Sequence, residues 1–407
     1  MIDLAGYKQT DIGLIPSDWD VRKLGDIGES LIGLTYDPSD VRQYGTLVLR
    51  SSNIQEGKLS FDDNVYVQAK IPDRIMVKEG DLLVCVRNGS RDLIGKCLLL
   101  DERVNGATFG AFMAVFRSGY GKFVHYLFQS ELIKKQINEH LGATINQITN
   151  RSLNSFLVPL PPTQQERDAI IKALDDINLL EDDLGRAIDK KERLKQAFVQ
   201  KIFSGNMQLP DFSGKWTSKK LKELVVLNRE NIIPASTPSE LFAHFSLPAF
   251  DQGRTPVVEL GSSIGSNKFR VPANSVLISK LNPRISRVWL PNSIPENSVA
   301  STEFLVCTPK ECISREFLYV LCSSPFFCKK MELAATGTTG SHQRVSPLEA
   351  LEIELHLPID HLEQIAISKI LNDMETEIEL LKMRYAKTHL LTQGMMQELL
   401  TGRTRLV

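Results

Sequence analysis

This sequence lacks the marks of a membrane protein, a disulfide-rich secreted protein or a zinc protein. No apolar run approaches the roughly 18 residues that a membrane-spanning helix needs. The N-terminal stretch MIDLAGYKQTDIG lacks the basic and then apolar layout of a signal peptide, so we expect a cytoplasmic protein. The six cysteines form no CxxC pair and lie mostly in apolar runs, which favours reduced thiols and no metal site.

The sequence also lacks an excess of one charge and a recognisable catalytic motif. Its net charge is -1, which argues against a protein that binds DNA alone, tightly and without specificity. The stretch from Gly89 to Cys97, GSRDLIGKC, has one residue too many for a phosphate loop, and Cys97 stands where Ser or Thr would bind magnesium. No Asn/Asp-Pro-Pro-Tyr/Phe motif of amino-methyltransferases occurs, and the histidines show no metal-ligand spacing. We therefore expect a chain without catalysis of its own.

The sequence instead contains a long internal repeat. Eleven of the thirty-five positions from 166 to 200 recur identically 197 positions later, and Trp19 and Leu24 recur as Trp216 and Leu221 with the same offset. A unit of this length indicates a duplicated domain, because solenoid repeats have periods of roughly 20 to 50 residues. We therefore predict four segments, which are domain 1 (1–159), helix 1 (160–205), domain 2 (206–355) and helix 2 (356–407).

The repeated segments have the pattern of long helices. Each begins after proline, in PLPPTQQE and LHLPIDHLE, and ends near glycine. Forty residues of helix extend roughly 60 Å, well beyond the average globular helix of about 11 to 12 residues. The apolar residues follow coiled-coil spacing, so we expect an antiparallel helix pair with an interface made by Leu174, Ile177, Leu184, Ile188, Phe198, Ile202, Leu371, Met374, Ile378, Leu381, Tyr385, Met395 and Leu399.

Polar residues interrupt both apolar seams. Glu181, Lys191 and Lys195 interrupt the first, and Thr388 and Thr392 interrupt the second. Such interruptions lower stability but can fix register. The alternative is that each helix packs only on its own domain.

The two domains have the texture of mixed α/β folds. Short β-rich runs bounded by Gly, Asn and Asp include GDLLVCVRNG and GAFMAVFRS in domain 1, and NSVLISKLN and STEFLVCTP in domain 2. A helical stretch follows in each, from Lys122 to Leu141 and from Arg315 to Ala334. The domains have diverged while the helices have kept their sequence, which is expected if each domain recognises something different from a common platform.

In this order, and duplicated, several motifs resemble the specificity (S) subunits of type I restriction-modification systems. They are GYKQTDIGLIPSDWDVRKLGDI, LRSSNIQEG followed by GDLLVCVRNGSRDLIGK, and the junctions SFLVPLPPTQQERDAIIKALDDI and TGTTGSHQRVSPLEALEIELHLPIDHLEQIAISKIL. The second junction departs from the usual Pro-Pro-Leu form, and Gln165 stands where Glu-Gln is more usual. The resemblance covers essentially the whole chain.

The resemblance implies two mixed α/β target-recognition domains separated by two long helices that form an antiparallel coiled coil, with pseudo-two-fold duplication. Each domain would read one half of a bipartite, asymmetric DNA target, and the helices would fix the unspecified spacer. Methyl transfer and cleavage would belong to two methyltransferase (M) subunits and two restriction/translocase (R) subunits. S-adenosylmethionine, ATP and magnesium would be bound by those partners, and no cofactor by this chain.

Polar loop residues at matching places in the two domains are the candidates for DNA contact. Arg, Lys, Asn and Gln side chains read base edges, and Arg and Lys also bind phosphates. The candidates are Arg50, Asn53, Arg87, Asn88, Ser90, Arg91, Lys96, Asn146 and Gln147 in domain 1, and Lys280, Asn282, Arg284, Arg287, Gln343 and Arg344 in domain 2. For any one of them, a solvated loop residue is an equally good interpretation.

Two other interpretations and one corollary remain at this stage. The chain could be an architectural adaptor whose helices assemble protein partners without sequence-specific DNA binding, which its near-zero net charge favours. An enzyme of nucleotide metabolism would depend on the flawed glycine loop. Since the N-terminal segment resembles the segment after helix 1, we also expect the two ends of the chain to lie close together, and a chain permuted to begin near Asn206 to function.

Overall fold

The computed structural model describes residues 6–141, 146–337 and 343–406, which form two compact units. Unit 1 comprises Met1–Gly185 with Met383–Val407, and unit 2 comprises Arg186–Lys382. The division passes through both long helices, so each unit holds one α/β domain and a part of each helix. The four predicted segments cut the chain at the helix ends instead, and their bounds stay a prediction.

The described part of unit 1 contains short strands and four short helices, followed by the start of a 40-residue helix. The strands are β1 (Tyr7–Thr10), β2 (Gly13–Pro16), β3 (Asp20–Lys23), β4 (Glu29–Ile32), β5 (Val41–Arg42), β6 (Thr46–Leu49), β7 (Ile54–Gln55), β8 (Lys58–Leu59), β9 (Val65–Val67), β10 (Leu82–Cys85), β11 (Cys97–Leu99), β12 (Thr108–Phe109), β13 (Met113–Arg117) and β14 (Leu157–Leu160). The helices are α1 (Leu24–Ile27), α2 (Gly121–Gln129), α3 (Glu131–His140), α4 (Asn150–Ser155) and α5 (Gln164–Phe203).

A buried sheet organises this domain. Its strand order is β11-β10-β13-β4, and a second sheet has the order β12-β6-β9-β5. Side chains alternate across a strand. Accordingly, Leu82 and Val84 of β10 enter the core that contains α2 and the long helices, whereas Leu83 and Cys85 enter the core against the second sheet. Burial on both faces explains why this strand is a continuous apolar run.

Unit 2 repeats the scheme. Its strands are β15 (Trp216–Lys220), β16 (Val225–Asn228), β17 (Asn231–Ile232), β18 (Leu241–Phe245), β19 (Val257–Leu260), β20 (Lys268–Arg270), β21 (Val276–Ser279), β22 (Val288–Trp289), β23 (Ser298–Ser301), β24 (Phe304–Pro309), β25 (Ala335–Thr336), β26 (Arg344–Val345) and β27 (Glu354–Pro358). Its helices are α6 (Leu221–Leu224), α7 (Leu247–Asp251), α8 (Arg315–Ser323), α9 (Pro325–Leu333), α10 (Pro347–Leu351) and α11 (His361–Leu400).

The central sheet of unit 2 has the order β16-β24-β21-β22, so β21 and β24 take the places of β10 and β13. Each predicted helical stretch of the domains divides into two helices. In unit 2 the division lies at Ser324, whose hydroxyl caps α9 by accepting from the Phe327 amide, and Pro325 begins the new helix. In unit 1 it lies at Ser130, between α2 and α3.

The long helices α5 and α11 pair antiparallel in each unit. In unit 1, Leu174 shares a core with Leu399, while further along α5 the Glu181 carboxylate contacts His389 (2.8 Å) and the Thr392 hydroxyl (3.1 Å). Residue numbers therefore fall along α11 as they rise along α5.

In unit 2 the same direction holds. The ion pairs Lys191–Glu377 and Glu192–Lys382 lie at 2.7 and 2.5 Å, and Lys195 pairs with Glu375. Four of the polar interruptions, Glu181, Lys191, Lys195 and Thr392, thus bind polar residues of the opposite helix, which is how such residues fix register. The predicted fold class is confirmed: two mixed α/β domains with two long antiparallel helices and an internal duplication.

The predicted interface residues of the helices differ in burial. Six are buried, namely Leu174, Leu184, Ile202, Leu371, Ile378 and Leu399. Tyr385 is the most exposed of the set, at 37%, and the other six are half-buried. Several leucines outside the predicted seam are more exposed, among them Leu179 and Leu390.

A buried carboxylate anchors the first turn of each long helix. In unit 1, Glu166 is 1% exposed and accepts hydrogen bonds from the Arg405 guanidinium, one of them at 3.0 Å. Arg405 also binds Asp18 at 2.9 and 3.0 Å. These hydrogen bonds from Arg405 lower the pKa of Asp18, and the two carboxylates raise the pKa of Arg405.

Unit 2 builds the same anchor from neutral partners. Glu363 is fully buried and accepts from the Gln208 amide (3.3 Å) and from the Trp216 indole (3.1 Å). Gln208 and Arg405 are equivalent positions of the repeat. In each unit, the segment that follows the end of one long helix is therefore bonded to the beginning of the other.

The described ends of the chain are in contact within unit 1. The Tyr7 hydroxyl donates to the carbonyl of Gly402 (3.1 Å), and Gly402 packs so closely on Pro16 that an added Cβ would lie 2.5 Å from that ring. This contact agrees with the expectation that the ends lie close together.

Candidate nucleic-acid interface

In unit 1 three chain segments meet at the end of the central strand β10. The amide of Ile148 donates to the carbonyl of Val86 (2.8 Å), and the amide of Asn88 donates to Asn146 (3.4 Å). On the other side, the amides of Val86 and Arg87 both donate to the carbonyl of Phe112 (3.0 and 3.1 Å). Backbone bonds therefore hold the segment 86–88 between residues 146–148 and Phe112.

Unit 2 contains the same frame. The amide of Val345 donates to the carbonyl of Lys280 (3.0 Å), Asn282 donates to Gln343 (2.8 Å), and Lys280 donates to Glu303 (2.9 Å). The backbone therefore equates Asn88 with Asn282 and Asn146 with Gln343. We use the name strand-end frame for these three segments: 86–88, 112 and 146–148 in unit 1, and 280–282, 303 and 343–345 in unit 2.

The strand-end frame brings together eight of the fifteen sequence candidates, four in each unit. Arg87 is exposed, and Asn88, Asn146 and Gln147 are half-buried beside it. In unit 2, Lys280, Asn282 and Gln343 are half-buried and Arg344 is exposed. Sequence reasoning thus found residues that lie together in each domain although about 60 residues separate them along the chain.

The loop after the frame of unit 1 carries Ser90, Arg91 and Lys96. The side-chain oxygen of Asn88 accepts from the Ser90 amide (3.0 Å), and Arg91 donates to the Asn138 carbonyl (3.3 Å). Ser90 and Arg91 are exposed, and Lys96 is half-buried.

The phosphate-loop resemblance of this loop has a packing explanation. Gly95 has φ +85° and approaches Ile137 so closely that a Cβ would lie 2.4 Å from its methyl group. Burial raises the pKa of the neighbouring Cys97 thiol to about 12.

Asn53, Arg50 and Arg287 lie outside the strand-end frame, and each is engaged within its own domain. Asn53 is fully buried; its side-chain oxygen accepts from the Arg50 amide (2.9 Å), and its amide group donates to the Ser60 carbonyl (3.0 Å). Arg50 pairs with Asp63 at 2.8 Å. Arg287 makes two hydrogen bonds to Asp251, at 2.8 and 2.9 Å, which lower the pKa of that carboxyl. A DNA contact by any of them would compete with these bonds.

Arg284 differs from Arg287. It is exposed, and no described carboxylate lies within ion-pair distance of it, so its guanidinium can bind another molecule.

Sequence reasoning missed two residues of the strand-end frame. The Arg87 guanidinium lies 4.9 Å from the ring centroid of Phe112, which is 56% exposed. At the equivalent position of unit 2, Glu303 accepts hydrogen bonds from Arg344, with Nε 3.2 Å from both carboxylate oxygens. The runs GAFMAVF and STEFLVC, which place Phe112 and Glu303 just before equivalent strands, are the signal that could have found them.

Among residues 6–141, 146–337 and 343–406, no group of three or more His, Cys, Asp or Glu side chains could hold a metal ion. In the same ranges, no helix is long and apolar enough to cross a membrane.

Comparison with known proteins finds one family. The family model of the type I restriction modification DNA specificity domain matches residues 16–191 and again residues 213–388. The second match begins 197 positions after the first (213 against 16), which is the offset of the internal repeat.

The specificity subunit of the type I restriction enzyme EcoKI from Escherichia coli K12 is 24% identical over 216 residues. That alignment covers 51% of this chain and 45% of the relative, so the chain spans about half the length of the curated relative it matches.

Two solved structures have the same fold. A type I restriction-modification S subunit from M. genitalium is 14% identical, with a TM-score of 0.58 over 94% of this chain and 96% of that one. A chain from a structure on the complex assembly and conformational transition of a type I R-M system is 18% identical, with a TM-score of 0.58 over 96% and 99%.

Proposed function

The chain belongs to the type I restriction-modification DNA specificity family, with two copies of the family's domain, and from this premise we propose that it directs a methyltransferase complex to a bipartite DNA sequence. Each domain reads one half of an asymmetric target. The observation that carries this proposal is the strand-end frame, because the same backbone arrangement occurs in both units but presents different side chains. Two similar frames with different chemistry are what two different half-sites require.

The long helices supply the second part of the proposal. A 40-residue helix has a length of roughly 60 Å. Half-sites one duplex turn apart are roughly 34 to 36 Å from each other. A paired strut of this length can fix the number of unspecified base pairs between half-sites, and the paired polar interruptions keep its register.

The chain itself does no chemistry in this proposal. Two methyltransferase subunits perform methyl transfer with S-adenosylmethionine, and two restriction/translocase subunits cleave DNA with ATP and magnesium, in the cytoplasm where the DNA is.

The duplication supports two copies of the methyltransferase. Each unit has a groove between a domain helix and the first half of a long helix, of about 670 Å³ along α2 and α5 and about 940 Å³ along α8 and α11, where residues 192–199 of α5 also line the groove. Lys172 and Lys369, which are equivalent positions of the repeat, line the two grooves. Equivalent grooves would accept the same segment of two copies of one partner.

The direct test is to co-express the chain with a methyltransferase subunit of its own system, purify the complex, and measure binding to a library of duplexes at several salt concentrations. We expect selection of one bipartite sequence and an affinity that falls with salt. Binding without sequence preference would contradict the proposal.

The net charge of -1 favours one rival, an architectural adaptor that binds only proteins. An adaptor would form the protein complex but select no DNA sequence. The same purification therefore separates the two functions.

A further inference from the structure

The two strand-end frames have the same backbone arrangement but supply their exposed arginine from different segments. In unit 1 the arginine is Arg87, on the segment after the central strand, and the bridging segment offers Gln147 opposite it. In unit 2 these two positions hold Leu281 and Arg344, which also form a bridge. The arginine therefore lies on the segment after the central strand in unit 1 and on the bridging segment in unit 2.

The third position of the frame has changed to match. Its backbone carbonyl accepts the same hydrogen bond in both units: Phe112 accepts from the Val86 amide, and Glu303 accepts from the Lys280 amide. Its side chain holds the local arginine in each case. Phe112 offers an aromatic face to Arg87 at 4.9 Å, and Glu303 receives Arg344 through both carboxylate oxygens, with the closest ion-pair distance at 3.1 Å.

Neither side chain is explained by packing of its own domain. Phe112 is 56% exposed although its neighbours in β13 are buried, and its ring lies against the Arg87 guanidinium. Glu303 is a carboxylate on a surface that is to face DNA, where an unpaired negative charge would weaken binding. Its pairing with Arg344 accounts for its presence.

An arginine reads guanine through two hydrogen bonds, to O6 and N7, and this needs a guanidinium plane held in one orientation. We propose that Phe112 and Glu303 are the positioning residues of the two recognition domains, and that each fixes the plane of the arginine, Arg87 or Arg344, with which its domain reads a guanine. Phe112 does so by stacking, and Glu303 by a bidentate ion pair. This inference rests on the proposed function.

The experiment uses the complex of the full chain with its methyltransferase partner, and reads out sequence preference by selection from a duplex library. Phe112→Ala should lower discrimination for guanine at one base pair of one half-site by about tenfold. The other half-site should keep its preference. Phe112→Tyr keeps the ring and should retain discrimination, whereas Phe61→Ala, which removes another exposed aromatic side chain of the same unit, should leave both half-sites unchanged.

Glu303→Ala should act on the other half-site, and it should change affinity and discrimination in opposite directions, which a merely structural role would not do. Loss of the carboxylate removes a negative charge from the surface that is to face DNA, so affinity for unrelated DNA should rise several-fold while discrimination at one guanine falls about tenfold. A domain that had simply lost structure would lose both.

A duplex with 7-deazaguanine at the affected base pair lacks the N7 acceptor. It should weaken the wild-type complex about tenfold and the corresponding variant much less.

The outcomes separate this inference from the function on which it rests. If the wild-type complex selects no bipartite sequence, the proposed function fails. If it selects one and Phe112→Ala and Glu303→Ala leave that sequence unchanged, the inference fails alone. The inference also fails if both variants alter the same half-site, or if Phe61→Ala matches Phe112→Ala.

Discussion

Replacing Arg405 by alanine should destabilise unit 1 by about 3 kcal/mol. The substitution removes both hydrogen bonds to Glu166, which is 1% exposed, and leaves that carboxylate buried. Removal of one partner of a buried ion pair costs about 3 to 5 kcal/mol. Arg405 keeps 28% of its side chain exposed, so water can partly replace it, and we take the lower end of this range.

The other half of the cluster should contribute little. Asp18 is 53% exposed, and exposed ion pairs contribute about 0 to 1 kcal/mol. The loss should therefore depend on Glu166. In a double-mutant cycle, adding Glu166→Gln to Arg405→Ala should recover about 1 kcal/mol or more of the lost free energy of unfolding, because the buried charge is then removed.

Urea denaturation followed by tryptophan fluorescence measures these free energies. Trp19 lies beside Arg405, with the guanidinium 5.8 Å from its ring, so it reports on the altered region. Arg403→Ala is the matched control, because Arg403 is 38% exposed and pairs with the half-exposed Glu398 at 3.6 Å. It should change the free energy of unfolding by less than about 1 kcal/mol.

Unit 2 provides an internal comparison. Gln208 performs the same task toward Glu363 with a neutral amide. Arg405→Gln should accordingly be milder than Arg405→Ala. Equal losses for Arg405→Ala and Arg403→Ala, or strict additivity with Glu166→Gln, would refute the role given to the buried carboxylate.

Burial lowers the pKa of His125 to about 4, so unit 1 should lose about 3 kcal/mol of stability as pH falls from about 6.5 to about 4, where only the unfolded chain readily takes up the proton. Denaturation at several pH values should show this slope in the wild type and a smaller one in His125→Gln; equal slopes would contradict it. One heptad inserted after Gly185, with a matching heptad after Lys382, lengthens each helix by about 10 Å and should lengthen the spacer by about three base pairs or abolish recognition. Selection from a duplex library measures this, and an unaltered target would exclude a measuring role for the helices. Arg284→Ala should weaken binding of the complex to its target by about 1 to 3 kcal/mol if Arg284 reads a guanine, as titration with labelled duplex would show, and unchanged affinity would remove Arg284 from the interface. A chain permuted to begin near Asn206, with its original ends joined, should still direct methylation, and its failure despite normal folding would contradict the expectation that the two ends of the chain can be joined without loss of function.

The existence and approximate bounds of the long helices could be predicted from the sequence, since the predicted segments 160–205 and 356–407 contain α5 and α11. Their length, their proline and glycine punctuation and the spacing of residues such as Leu174 and Leu371 all follow from local rules of helix formation. The repeat itself supplied the second helix from the first. The predicted helical stretches did not include the division at Ser130, where an apolar helical pattern continues across the serine. The division at Ser324 has a local signal, because Pro325 directly after a serine is typical of a helix start.

The strand-end frame could be predicted only in part. Arg87 and Arg344 carry recognisable chemistry for DNA, so composition and position in the repeat found them. The roles of Phe112 and Glu303 depend on which backbone segments meet at the end of β10 and β21, and no local pattern states that. The same holds for Asn53, whose polar side chain looked available in the sequence but is used to close a turn.

The anchors show the same limit. Glu166 and Glu363 are identical residues at equivalent positions of the repeat. Their burial, and their bonds to Arg405 and Gln208, come from contacts between residues that are far apart along the chain. Such contacts are a property of the fold rather than of a local window.

Mapping of methylated adenines in cells that express this chain with its methyltransferase partner tests the central claim most directly. We expect one asymmetric motif, in which two defined half-sites flank a spacer of constant length and variable sequence. A single uninterrupted motif, or methylation that depends on the partner alone and not on this chain, would contradict the account.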